Sequence, residues 1–143
     1  GDNDPPYDTM DYITMDTLGN ASDFGELFTA HANFGGTSDG VRGVFGAGYS
    51  GTANIDAIDY ISISVLGNAR DFGEVSVARR DVGAGTVSDG SRGVFGGGYI
   101  SANSDVIDYF AIAVLGNATD FGNLSAATSG LASASNGYRG VLV

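Results

Sequence analysis

The chain has no cysteine, no tryptophan and no lysine, and only one histidine and two prolines in 143 residues. Without cysteine there are no disulfides and no thiolate metal sites, and the redox compartment cannot be read. A single histidine, His31, excludes zinc or copper centres built on several imidazoles. A serine hydrolase would have to recruit His31 itself, and no Gly-x-Ser-x-Gly elbow accompanies it. The shortage of cations is as telling: six arginines face 15 Asp and two Glu, giving a net charge of −11. Such a surface repels phosphate backbones and anionic membranes, so nucleic acid is not an expected partner. It suits salty water, where screening weakens self-repulsion. No stretch approaches the ~18 apolar residues of a membrane helix, so membrane insertion is not expected. Residues 1–15 are too acidic for a signal peptide.

What is present is repetition. The phrase Ile-Asp-Tyr, a short spacer, Leu-Gly-Asn-Ala, one residue, then Asp-Phe-Gly occurs at Ile58–Gly73 and Ile107–Gly122. It recurs at Met10–Gly25 with methionine in the first place. A second phrase, Arg-Gly-Val plus a large apolar residue, falls at Arg42–Phe45, Arg92–Phe95 and Arg139–Leu142. Periods of about 49 residues mark supersecondary units that bury their apolar faces only by stacking on one another.

Alternating Val, Ile, Tyr and Phe among 24 glycines reads as all-β. Within one unit four strands are expected. Ala84–Ser88 ends in the turn Ser88-Asp89-Gly90, and Ser91–Tyr99 runs into three glycines that imply a bend or a closely approaching backbone. Ser101–Asp105 reads as a polar loop. Val106–Leu115 is apolar on both faces, as in a strand between two sheets, and Asp120–Ala127 is the fourth strand. Counterparts of strand three are Asp11–Leu18 and Ile58–Leu66; those of strand four are Asp23–Thr29 and Asp71–Val77. Four antiparallel strands in this length make a β-propeller blade. The whole of 1–143 is then one repeat domain. Residues 8–31 supply strands three and four, 32–80 and 82–128 are full blades, and 130–143 supply strands one and two completing the first blade. Three blades are too few to close a ring. The expected outcomes are a two-chain ring, a head-to-tail filament, or a different threefold fold such as a β-prism or β-trefoil.

Val94-Phe95-Gly96-Gly97, the downstream Tyr109 and the preceding Arg79 resemble a kelch blade, with Phe24, Phe72 and Phe121 where that family carries tryptophan. The run Arg92–Tyr99, then Ile-Asp-Tyr, then Gly-Asn-Ala-x-Asp-Phe-Gly is similar to the kelch-like arrays of phage structural and tail-fibre proteins, cyanophages especially. That resemblance implies a propeller fold and a location on a virion surface or otherwise outside the cell.

Asp-Phe-Gly also occurs in protein kinases, but the lysine and the His-Arg-Asp loop of that family are missing. Repetition points to packing: Asp caps a turn and Phe fills the core between units. The repeated arginines Arg42, Arg92 and Arg139 and aspartates Asp23, Asp71 and Asp120 are therefore expected to be structural contacts, with an Arg–carboxylate pair joining units. Asp11, Asp59 and Asp108 read as strand-edge or turn residues, and His31 as a polar strand end. Asp2-Asn3-Asp4 lacks the glycine and distal glutamate of a calcium loop, and no metal or other cofactor is expected. Non-repeated positions offer the better ligand candidates: Tyr49 and Tyr99 beside polar loops, with Arg79 and Arg80. The leading expectation is a non-enzymatic structural or adhesion module, a self-assembling phage fibre or surface component whose partners are other copies and a host glycan or receptor. The alternative is a lectin with one weak sugar site per repeat, its tyrosines stacking on sugar rings and its strength coming from multivalency.

Overall fold

The computed structural model describes residues 6–82 and 86–143, and within them the chain is all-β, with no helix. Twelve strands form there: β1 (Tyr7–Tyr12), β2 (Ser22–His31), β3 (Gly35–Ser38), β4 (Arg42–Gly46), β5 (Ala57–Ser62), β6 (Arg70–Glu74), β7 (Thr86–Ser88), β8 (Arg92–Gly96), β9 (Val106–Ala111), β10 (Thr119–Asn123), β11 (Ser133–Ser135) and β12 (Gly140–Leu142). Two antiparallel four-stranded sheets, β3-β4-β5-β6 and β7-β8-β9-β10, lie between two-stranded sheets, β1-β2 before them and β11-β12 after. None closes on itself. The turn chemistry is local. Asp39 accepts from the backbone N–H groups of Val41 and Arg42 at 2.9 and 2.7 Å, and Asp89 from those of Ser91 and Arg92 at 2.8 and 2.7 Å. These bonds hold both carboxylates below their usual range, the N–H of Arg42 or Arg92 contributing most.

The third strand of each unit is shorter than its apolar pattern predicts. β9 stops at Ala111; Ile112 N–H makes a last bond to the Ser91 carbonyl at 2.9 Å, and Val114 N–H then turns back to the Ala111 carbonyl at 3.1 Å. Val114 and Leu115 end up exposed, as do Val65 and Leu66 one repeat earlier. The core sits between the two large sheets, where Val44, Ile58 and Phe72 meet Phe95, Phe110 and Ile112. Phe110 is its hub, edge-on to Phe72 at 5.3 Å and tilted against Phe95 at 5.1 Å. The expected close approach at the glycine run is present: a Cβ on Gly98 would lie 2.7 Å from the carbonyl oxygen of Arg80. The predicted first strand at Ala84–Ser88 begins in β7 at Thr86; Ala84 and Gly85 lie outside the described residues.

Candidate functional site: the interface between repeats

The same clasp joins consecutive units. After the Phe of Asp-Phe-Gly, the chain runs alongside the Gly-Asn-Ala turn of the next unit. Phe24 O accepts from Gly67 N–H at 2.9 Å, and Glu26 O from Ala69 N–H at 2.7 Å. One repeat later, Phe72 O and Glu74 O accept from Gly116 and Ala118 at 2.9 and 2.7 Å. The turn asparagine completes each clasp, Asn68 Oδ1 accepting from Glu26 N–H and Asn117 Oδ1 from Glu74 N–H, both at 3.2 Å. The glycine is needed because two backbones touch. A Cβ on Gly73, at φ +150°, would lie 2.5 Å from the carbonyl carbon of Gly116, and Gly25 meets Gly67 in the same way.

The repeated aspartates and arginines divide differently from the expectation. Asp23 and Asp120 cap their own turns, accepting from the N–H groups of Gly25 and Gly122 at 3.1 and 3.0 Å. Among the described residues, no ion pair joins Arg42, Arg92 or Arg139 to Asp23, Asp71 or Asp120. Arg42 instead donates to the carbonyl of Ile112 in the following sheet at 2.9 Å and lies over the Tyr60 ring. Arg92 pairs at 3.0 Å with Asp89 of its own turn, and Arg139 is exposed. The arginine thus does reach between units at Arg42, but to a carbonyl rather than a carboxylate.

The carboxylate pair lies elsewhere. Asp108, read from the sequence as a strand-edge or turn residue, is fully buried and bonds Arg79 at 2.7 Å, also fully buried. Arg79 further donates to the carbonyls of Gly97, Val77 and Phe95, and Ser76 donates to Asp108 through its N–H and hydroxyl. Arg79 therefore cannot meet a ligand at the surface. One repeat earlier His31 stands in the arginine's place and Asp59 in that of Asp108, both buried, correcting the expected polar strand end. The exchange leaves a deficit. Among the described residues, neither ring nitrogen of His31 has a hydrogen-bond partner, nor does Asp59 Oδ1, while Asp59 Oδ2 accepts from Thr29 N–H at 2.9 Å. Burial pushes the His31 pKa below its ordinary 6.5; the Ala47 backbone pulls the other way without reaching hydrogen-bonding geometry. Burial likewise pushes the Asp59 carboxyl up, against the opposing N–H bond from Thr29 and the nearby backbone of Phe28.

These directions set a pH response. A lowered histidine pKa contributes stability that is fully present above the unfolded value of 6.5 and lost as pH falls through the folded value. The raised Asp59 pKa works in the opposite sense, its contribution present below 3.8 and lost as pH rises through the folded value. The His31 contribution to melting temperature is therefore expected to decline as pH drops below 6.5. His31→Phe, which keeps the ring stacked on Phe34 (4.4 Å between centroids), removes that decline. An unchanged slope in the variant would acquit His31.

Of the ligand candidates, the structure brings three together and turns the fourth away. Arg80 lies between Tyr49 and Tyr99, its guanidinium carbon 5.1 and 4.6 Å from the two ring centres. Asn54 holds the stack, accepting from Arg80 at 2.8 Å and donating to the carbonyls of Tyr99 and Ile100. The ring faces expected to meet sugar are thus covered by a side chain of the same molecule. Among the described residues, no group of three His, Asp or Glu side chains converges as a metal site, and no helix is long and apolar enough to cross a membrane.

A groove of about 360 Å³ lies between sheet β7–β10 and the β11-β12 hairpin, walled by Arg92, Val94, Ile107, Tyr109, Phe121 and Leu142. No protein-family model matches the chain, and no curated protein matches it.

Proposed function

We propose that the chain is a non-enzymatic structural module, a propeller-like array of blades that self-assembles as a fibre or surface component of a phage virion. One observation carries the reading: the residues that looked chemically capable are spent on joining one repeat to the next. Arg79 and Asp108 neutralise each other in the core, Arg80 fills the space between two tyrosines, and Arg42 ties a strand to its neighbour. The blade reading is supported by the stacking order, in which β3 packs on β7 and β7 on β11, so that first strands follow one another along one side. An assembly role follows from the same design, because an array that stacks by backbone clasps and apolar plugs extends by repeating them. Host attachment belongs to this reading as adhesion through the exposed loops. Sedimentation of the 143-residue chain checks the assembly: species heavier than the 14.5 kDa chain are expected at micromolar concentration. A monodisperse monomer across the concentration range would refute self-assembly. Repeat-equivalent sugar binding on a glycan array would replace the structural reading with the lectin.

A further inference from the structure

The two ends of the stack are complementary halves of the interface already formed inside the chain. At the internal junction Phe110 and Ile112 plug the space walled by Val44, Ile58, Tyr60 and Phe72. They are 3% and 0% exposed, and Arg42 grips the carbonyl of Ile112. The open groove has the same walls one repeat on, in Val94, Ile107, Tyr109 and Phe121, with Leu142 in the place of Phe95. Among the described residues none plugs it, and Phe121 is 59% exposed where Phe72 is 2%. At the other end of the stack Ile13 and Met15 hold the repeat positions of Phe110 and Ile112. They are 61% and 88% exposed. The clasp is divided likewise: a Cβ on Gly73 meets the Gly116 backbone, whereas one on Gly122 meets nothing within 4 Å.

We infer that the groove receives Ile13 and Met15 of a second copy of this chain, with Gly19-Asn20-Ala21 of that copy clasped by Phe121-Gly122-Asn123. This rests on the self-assembly proposed above and names its surfaces. The occupant is a second copy because the plug, the turn and the spacing between them match the segment that fills the internal site. Ile13 precedes Gly19 by the same interval as Phe110 precedes Gly116. Strand pairing follows the same register. As Val94 opposes Tyr109 and Phe95 opposes Asp108, Val141 opposes Tyr12 and Leu142 opposes Asp11 of the incoming copy. Arg92, exposed in the single chain, then exchanges its partner Asp89 for the carbonyl of Met15, as Arg42 holds that of Ile112. Asp11 arrives where Asp108 meets Ser76 and Arg79, and finds Ser125 and Thr128 at those positions instead. This joint therefore carries no buried ion pair. It is heterologous, so it closes into a ring if the rotation permits and otherwise runs on as a filament.

The test uses plug and socket separately. Met15→Asp alters a side chain already exposed in the single chain, so the fold is retained. A carboxylate forced into an apolar seat is expected to weaken association by roughly a hundredfold. Leu142→Asp blocks the socket. Mixing the two variants restores one joint per pair, from the unblocked socket of one and the unblocked plug of the other, and stops growth at dimers. Tyr12→Cys and Val141→Cys report the register, because in a cysteine-free chain any disulfide is at the engineered positions. Oxidising a mixture of the two single variants is expected to give the mixed dimer, whereas Tyr12→Cys with Ser135→Cys gives none. Assembly that persists in Met15→Asp, or that fails to yield the Tyr12–Val141 link, overturns this joint while leaving self-assembly standing. A wild-type chain monomeric at every concentration overturns both.

Discussion

Arg79→Ala is expected to cost roughly 3–5 kcal/mol of folding stability, the cost of leaving one member of a buried ion pair without its partner. Asp108 is fully buried, and Ser76 alone remains to meet its charge once the guanidinium is gone. The deletion also orphans the carbonyls of Gly97 and Phe95, which accept from Arg79 at 2.8 and 3.2 Å. These carbonyls belong to the β8 end of the same sheet, so the loss reaches the packing of Phe95 in the central core. The control is the double variant Arg79→Met, Asp108→Leu, which removes both charges and keeps most of the volume. It is expected to recover the greater part of the loss, since apolar replacements of buried pairs are often near neutral. Urea denaturation of the two variants beside the parent decides the matter. If Arg79→Ala unfolds at the parental midpoint, Arg79 is not anchoring this junction.

Much of the architecture was legible because the repeat prints each strand several times over. The glycine and aspartate turns and the order of strands appear where the periodicity placed them. The ends of the third strands were not legible. An apolar alternation continuing to Leu115 predicts a longer strand, but the chain turns there, Val114 N–H bonding the Ala111 carbonyl as Val65 N–H bonds that of Ser62 one repeat earlier. The main error at the site has a cause as well. Asp108 shares a strand face with Phe110, and an acid on an apolar face signals a buried partner rather than a strand edge. Its partner lies 29 residues away in sequence, beyond any local pattern. The signal available was the matching variation one repeat earlier, where the only histidine stands at the place of Arg79. Tyr49, Tyr99 and Arg80 were singled out as ligand candidates, but composition does not show that a cation would occupy the space between the rings.

Gly73→Ala is expected to be the second severe substitution, and Gly122→Ala the measure of why. Both glycines follow the Phe of Asp-Phe-Gly and both have positive φ, +150° and +136°. An alanine at either site meets the same kind of backbone strain, about 1–3 kcal/mol. Only at Gly73 does the new methyl group also meet another backbone, 2.5 Å from the carbonyl carbon and oxygen of Gly116 and 2.9 Å from Asn117 N. None of these three atoms belongs to a flexible side chain that can swing aside. To admit the methyl group the Gly-Asn-Ala turn must move, breaking the bonds from Gly116 to Phe72 and from Ala118 to Glu74. Phe72 then loses its seat against Phe110. The combined cost is expected to be roughly 3–5 kcal/mol, against 1–3 for Gly122→Ala in the dissociated chain. Thermal and urea unfolding at concentrations below assembly provide the comparison. Equal losses at the two sites would assign the whole effect to φ strain and leave the clasp between repeats with no part in stability. A markedly larger loss at Gly73 identifies the backbone contact as what holds one repeat against the next.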